Sequence, residues 1–182
     1  MKRAFLLLLT LLLFRDFTHA ADTDVANLPS PPPEATTYQI RNVKYGELLR
    51  PRDANSANGT PIVLYPAEPW KCMTWRFQPA TNDTFHLKNL FTAKTFSVDT
   101  NSASPQPAVK QLPLSKNLDE APAYQFIPAG DTAYRIADKS SGNVLTAVKD
   151  DHGSFRITAV PWQNLDEQKW RLEKIDPKDL TM

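Results

Sequence analysis

The sequence predicts an all-β fold made of one small unit used three times, and three observations predict it. The aromatics that open alternating apolar stretches, Trp75, Tyr124 and Trp170, lie 49 and 46 residues apart, a period that marks a repeated supersecondary unit. Three look-alike segments, Tyr38–Asn42, Phe85–Asn89 and Tyr134–Asp138, start 47 and 49 residues apart. Each alternates apolar and polar residues and stops at Asn or Asp, as a half-buried strand does on entering a turn. Two-residue alternation recurs along the chain, whereas a helical period never holds beyond about 11 residues. Four short strands per unit make about twelve. Such a unit cannot bury its apolar face alone, but three around a pseudo-threefold axis close a barrel and remove the exposed edges. That arrangement is a β-trefoil. A three-bladed propeller competes on repeat length, but propellers typically need four blades or more.

Residues 1–20 are laid out as a secretion signal. Lys2 and Arg3 precede an 11-residue apolar block, Ala4 to Phe14, and Thr18-His19-Ala20 leads to the expected cut. The block is well short of the roughly 20 residues that span a bilayer, so the expectation is a secreted protein, extracellular or periplasmic, without a membrane span. Cleavage after Ala20 leaves 18 basic and 19 acidic side chains. That balance offers no electrostatic case for nucleic acid or an anionic surface as partner. Cys72 is the only cysteine, so no disulfide forms within the chain and the core alone must hold it.

Residues 21–36 are acidic and then proline-rich, with Leu28-Pro29-Ser30-Pro31-Pro32-Pro33. This composition cannot pack a core and reads as an extended polyproline II leader. The trefoil is expected over 37–176, with 177–182 as a tail. Within it, an apolar residue follows each unit's start by eleven positions: Leu49, Phe96 and Leu145. A third strand in each unit closes on X-Pro, at Tyr65-Pro66, Leu112-Pro113 and Val160-Pro161.

The run Tyr38-Gln39-Ile40-Arg41-Asn42 through Leu49, Asn58-Gly59-Thr60-Pro61 and Tyr65 to Trp75 resembles one repeat of a ricin-type (R-type) lectin domain, and Gln168-Lys169-Trp170 matches that family's Q-x-W motif. The resemblance covers residues 38–175. It implies a β-trefoil in which Trp75, Tyr124 and Trp170 are core residues, and a non-enzymatic protein whose partner is a glycan or glycoprotein. It also implies a changed sugar site. The family places an Asp after the apolar residue of the second strand, where this chain has Arg50, Ser97 and Thr146. The family's pocket Asn corresponds to Cys72, Ala121 and Glu167, and the motif glutamine to Met73, Pro122 and Gln168. The usual galactoside pocket is therefore expected to be absent from the second repeat and altered in the first and third.

A sugar site needs groups that hydrogen-bond hydroxyls and an aromatic face to stack on the pyranose. The third unit retains both, with Trp162 as platform and Asn164, Asp166 and Gln168 as orienting groups. In the first unit Tyr65 and Trp70 are the candidate aromatics, with Arg52 and Asp53 nearby. Catalysis finds no support: the mature chain has only His86 and His152, and no nucleophile motif, metal-ligand spacing or cofactor loop. The plan of signal, proline-rich leader and trefoil is also similar to the lectin-like subunits of cytolethal distending toxins, which implies a protein-binding alternative with other subunits as partners. A Kunitz-type trefoil inhibitor is a third reading, against which the lone Cys72 counts.

Overall fold

The computed structural model describes residues 36–99, 103, 104 and 106–181. The expected signal peptide and, apart from Thr36, the expected leader lie outside the described residues. The strands are β1 (Thr37–Asn42), β2 (Leu48–Pro51), β3 (Ile62–Tyr65), β4 (Thr74–Pro79), β5 (Thr84–Asn89), β6 (Thr95–Val98), β7 (Val109–Leu112), β8 (Tyr124–Pro128), β9 (Tyr134–Asp138), β10 (Val144–Lys149), β11 (Phe155–Val160) and β12 (Trp170–Lys174). Among the described residues the only helices are single 3-10 turns, and no helix is long and apolar enough to cross a membrane. The three segments that start each repeat are β1, β5 and β9, within one residue of the expected ends.

Six strands close a barrel. β1 pairs with β4, β4 with β5, β5 with β8, β8 with β9, β9 with β12, and β12 returns to β1, each time antiparallel. Closure leaves none of the six with an open edge. The hairpins β2–β3, β6–β7 and β10–β11 cap one end. They touch one another through β3, β7 and β11 and through the bridges Pro61–Lys110 and Ala108–Thr158. Each unit thus contributes two barrel strands and one hairpin, which is the β-trefoil.

The closing aromatics tie cap to barrel. Trp75, Tyr124 and Trp170 are all 0% exposed. The Trp75 indole N–H donates to the Leu49 carbonyl at 3.0 Å, the Tyr124 hydroxyl to Phe96 at 2.7 Å, and the Trp170 indole N–H to Leu145 at 3.0 Å. In each unit the aromatic bonds the backbone of the apolar residue on the second strand, so one side chain fills the core and satisfies a buried carbonyl together. The single thiol, Cys72, is buried beside Leu48 and Met73, and burial pushes its pKa up despite the opposing Arg50 charge. Tail residue Thr181 bridges to Trp70 and exchanges backbone hydrogen bonds with the Pro69–Lys71 loop, at 2.8 Å to the Pro69 carbonyl and 3.2 Å from the Lys71 N–H.

Candidate functional site

The first strand of each unit ends on a residue that caps the following turn. Asn42 accepts from the Tyr45 N–H through its side-chain oxygen, Asn89 from Phe91 and Thr92, and Asp138 from Ser141. The two asparagines use their amide N–H as well. Asn42 donates to the Glu167 carbonyl at 3.0 Å and Asn89 to the Cys72 carbonyl at 2.8 Å. Those carbonyls lie three residues before the closing tryptophans, and the matching carbonyl before Tyr124 belongs to Ala121. Asp138 departs from the pattern, because a carboxylate has no proton to offer that carbonyl.

Both Asp138 and Ala121 line a hollow of about 750 Å3 beside the second unit, with His86, Ser97, Thr81 and Lys139 among others. Asp138 is 7% exposed and lines the hollow, and its Oδ2 accepts from Ser140 Oγ at 2.6 Å and Ser141 Oγ at 2.7 Å. Burial first, and the Asp138 charge second, hold the Tyr124 phenol well above its ordinary pKa. His86 Nδ1 lies 2.9 Å from the Pro122 carbonyl. A carbonyl only accepts, so Nδ1 carries the proton of this contact. Leu118 on the rim is 39% exposed and supplies an apolar face. The hollow mixes acceptors, the Asp138 carboxylate among them, with the donors of Lys139, Thr81 and Ser97, a polar lining that suits a ligand carrying hydroxyls.

The first unit is filled rather than open. Tyr65 and Trp70 meet, with ring centroids 6.0 Å apart, and the Arg50 guanidinium lies 3.9 Å from the Tyr65 centroid and 6.0 Å from that of Trp70. Arg50 stands where the resemblance expects an acid, and its cation covers the Tyr65 face that the candidate site left for a sugar. Asp53 is 84% exposed at its side chain and only 3.9 Å from Arg50, too far for a hydrogen bond. Arg52 is exposed.

In the third unit the four candidates share one loop but not one surface. Trp162 is half-buried under Arg135, whose guanidinium lies 5.2 Å from the ring centroid. Asn164 is exposed with a φ of 58°, and Asp166 is exposed and paired with Lys169 at 3.0 Å. Gln168 is 0% exposed. Its Oε1 accepts from the Gln163 N–H at 2.7 Å, and its Nε2 donates to the Pro161 carbonyl at 2.9 Å and to Thr146 Oγ1 at 3.2 Å. All of its amide is spent inside the protein, so Gln168 shapes the Trp162 loop instead of presenting to a ligand.

In the sequence Asp138 and His86 read only as strand-end and strand residues, and the second unit lacks both the family's acid and an aromatic at its rim. One signal was available: Asn42, Asn89 and Asp138 occupy equivalent positions, and only the last is charged.

Residues 28–112 match the family model described as ricin-type beta-trefoil lectin domain-like. Among solved structures, the designed threefold-symmetric protein ThreeFoil is similar at 20% identity with a TM-score of 0.68, over 76% of this chain and 99% of its own. The agglutinin of Rhizoctonia solani is similar at 19% identity with a TM-score of 0.68, over 81% and 99%. The ricin B-like lectin of Macrolepiota procera, solved in complex with lactose, is similar at 16% identity with a TM-score of 0.62, over 80% and 99%. No curated protein matches the chain. The closed six-strand barrel, the three capping hairpins and these likenesses agree on the fold: the chain is a β-trefoil whose residues 28–112 are similar to the ricin-type lectin-like family.

Proposed function

We propose that this protein is a secreted, non-enzymatic carbohydrate-binding module whose working pocket is the hollow of the second unit. The observation that carries this reading is the replacement of a capping asparagine by Asp138. It sets a carboxylate and the Ala121 residue along one hollow, without the side-chain amide N–H that serves the equivalent carbonyls in the other two units. Vicinal sugar hydroxyls are the natural donors, and hydrogen bonds to a charged acceptor are the stronger kind. Leu118 takes the place of the stacking aromatic as the apolar surface under the pyranose, a weaker contact that sets a modest affinity. The layout of residues 1–20 supports secretion.

A glycan array probed with the full mature chain tests the reading, followed by titration of the best neutral ligand against Asp138→Asn. Binding is expected to fall at least tenfold in this variant. Its thermal midpoint is expected to hold or rise, because the new amide restores the donor that Asn42 and Asn89 use, a bond of about 1 kcal/mol. Neutral-glycan binding unchanged by Asp138→Asn removes the hollow as the site. No binding to any glycan removes the function.

A further inference from the structure

We propose that the first unit is a second binding site of opposite charge, which takes an oxyanion, the carboxylate or sulfate of an acidic saccharide, on Arg50. The inference rests on the glycan-binding reading but uses a different unit and different residues. Arg50 is 6% exposed, and a charge so deeply buried is costly unless it is paired and hydrogen-bonded. Its surroundings supply little of this. Its Nε has no hydrogen-bond partner. The neighbouring Cys72 thiol takes a hydrogen bond from the guanidinium, but burial holds it protonated, and a neutral thiol is a weak acceptor. The one carboxylate within reach, Asp53, stands 3.9 Å from Nη2 on a side chain that is 84% exposed, a loose pair in high dielectric. What holds the cation is the pair of rings, Tyr65 and Trp70, that stack against it.

These features describe a guanidinium prepared for an anion. The rings hold the guanidinium in place, and its Nη2 end, which faces the exposed Asp53, is where a carboxylate or sulfate takes a charge-assisted hydrogen bond. Asp53 marks the approach. It stands 3.9 Å from Nη2 on an 84% exposed side chain, so a ligand oxyanion enters by taking its place. Tyr65, 39% exposed, then offers its outer edge to the ring that bears the acidic group. Exchange of the family's acid for an arginine thus converts a site for neutral hydroxyls into a site for negative charge.

The full mature chain is titrated calorimetrically with lactose, sialylated lactose and sulfated lactose, and with a polyglutamate peptide. The acidic saccharides are expected to bind at least tenfold more tightly than lactose. Arg50→Gln should abolish that margin and leave lactose binding, which depends on Asp138, unchanged. Asp53→Asn should widen the margin two- to fivefold, because it removes the competing carboxylate while keeping a residue that tolerates the positive φ of 54° at this position. That variant lies on an exposed turn, so it reads the site even where Arg50→Gln weakens the fold. Preference for sialylated over sulfated lactose, or the reverse, assigns the group. Equal binding of neutral and acidic forms overturns the proposal, as does a margin that persists in a folded Arg50→Gln. Binding of the peptide without the acidic saccharides overturns it too. Lactose binding without an acidic margin fails this inference alone; failure of every saccharide fails the glycan-binding reading with it.

Discussion

The first and second units have the same strands, the same hairpin and the same aromatic-to-carbonyl bond, and they meet solvent in opposite ways. In the first, an arginine and two aromatics fill the space beside the hairpin. In the second, a serine replaces the arginine, no tryptophan or tyrosine stands on the loop, and a hollow of about 750 Å3 remains. The capping residues differ in the same direction. Asn89 donates to the Cys72 carbonyl, whereas Asp138 has no side-chain N–H to donate. A trefoil can vary its surface this freely because closure and the buried aromatics hold the frame, and the loops above it contribute little to the core.

The frame itself is where the two units should respond most alike and most strongly. Trp75→Ala removes a fully buried indole and its bond to Leu49, and about 3–5 kcal/mol of stability should go with it. Tyr124→Phe keeps the ring and removes only the hydroxyl that serves Phe96, so about 1–2 kcal/mol is expected. Urea denaturation of both variants measures the ratio. A Tyr124→Phe loss as large as that of Trp75→Ala would mean that the hydroxyl, and not the buried ring, carries the second unit.

A smaller difference lies in the turns. After the capping residue, the first and third units place Gly46 at φ 70° and Gly142 at φ 71°, whereas the second places Ala93 at φ 56°. Left-handed backbone costs a side chain about 1–2 kcal/mol, against about 0.5–1 kcal/mol of extra entropy lost by a glycine. Ala93→Gly should therefore raise stability by about 0.5–1 kcal/mol, read as a higher urea midpoint at constant slope. A lower midpoint would show that the alanine methyl makes contacts worth more than the strain.

The least effect concerns the joint between the first and third units, which the second lacks. Glu167 titrates below the usual carboxylate range, first through a backbone hydrogen bond and second through Lys44, whose ammonium lies 3.0 Å away. A depressed carboxylate stabilises the fold above its unfolded pKa, and that contribution is lost as pH falls through the folded value. Lys44 is exposed and Glu167 lies at the surface, half-buried, so solvent screening keeps the effect on stability small. In Lys44→Ala the Glu167 resonance should titrate closer to the ordinary value while staying below it. A titration identical to that of the parent chain would show that the ion pair contributes nothing.

Much of this architecture was legible in the chain. The landmarks Leu49, Phe96 and Leu145, and the aromatics 26, 28 and 25 positions later, mark a bond that the structure repeats three times. Periodicity shows such things because burial on one face of a strand imposes period two, and stacking like units imposes the long period. The candidate sites were less legible. Gln168 reads as a pocket residue beside Trp162, yet its amide is consumed by Gln163, Pro161 and Thr146. Which hydrogen bonds an amide makes depends on neighbours brought close by folding, and no spacing rule records them.

By itself the sequence determined the class of fold, the number of units and the residues that close each one, because these follow from local alternation and from a period long enough to count. Only the tertiary structure decided where the surface is open. Asp138 and Ala121, 17 residues apart along the chain, come to line one hollow. The first site is filled because Arg50 meets Tyr65 and Trp70 across a hairpin. Each outcome depends on contacts, and contacts are what closing the barrel creates.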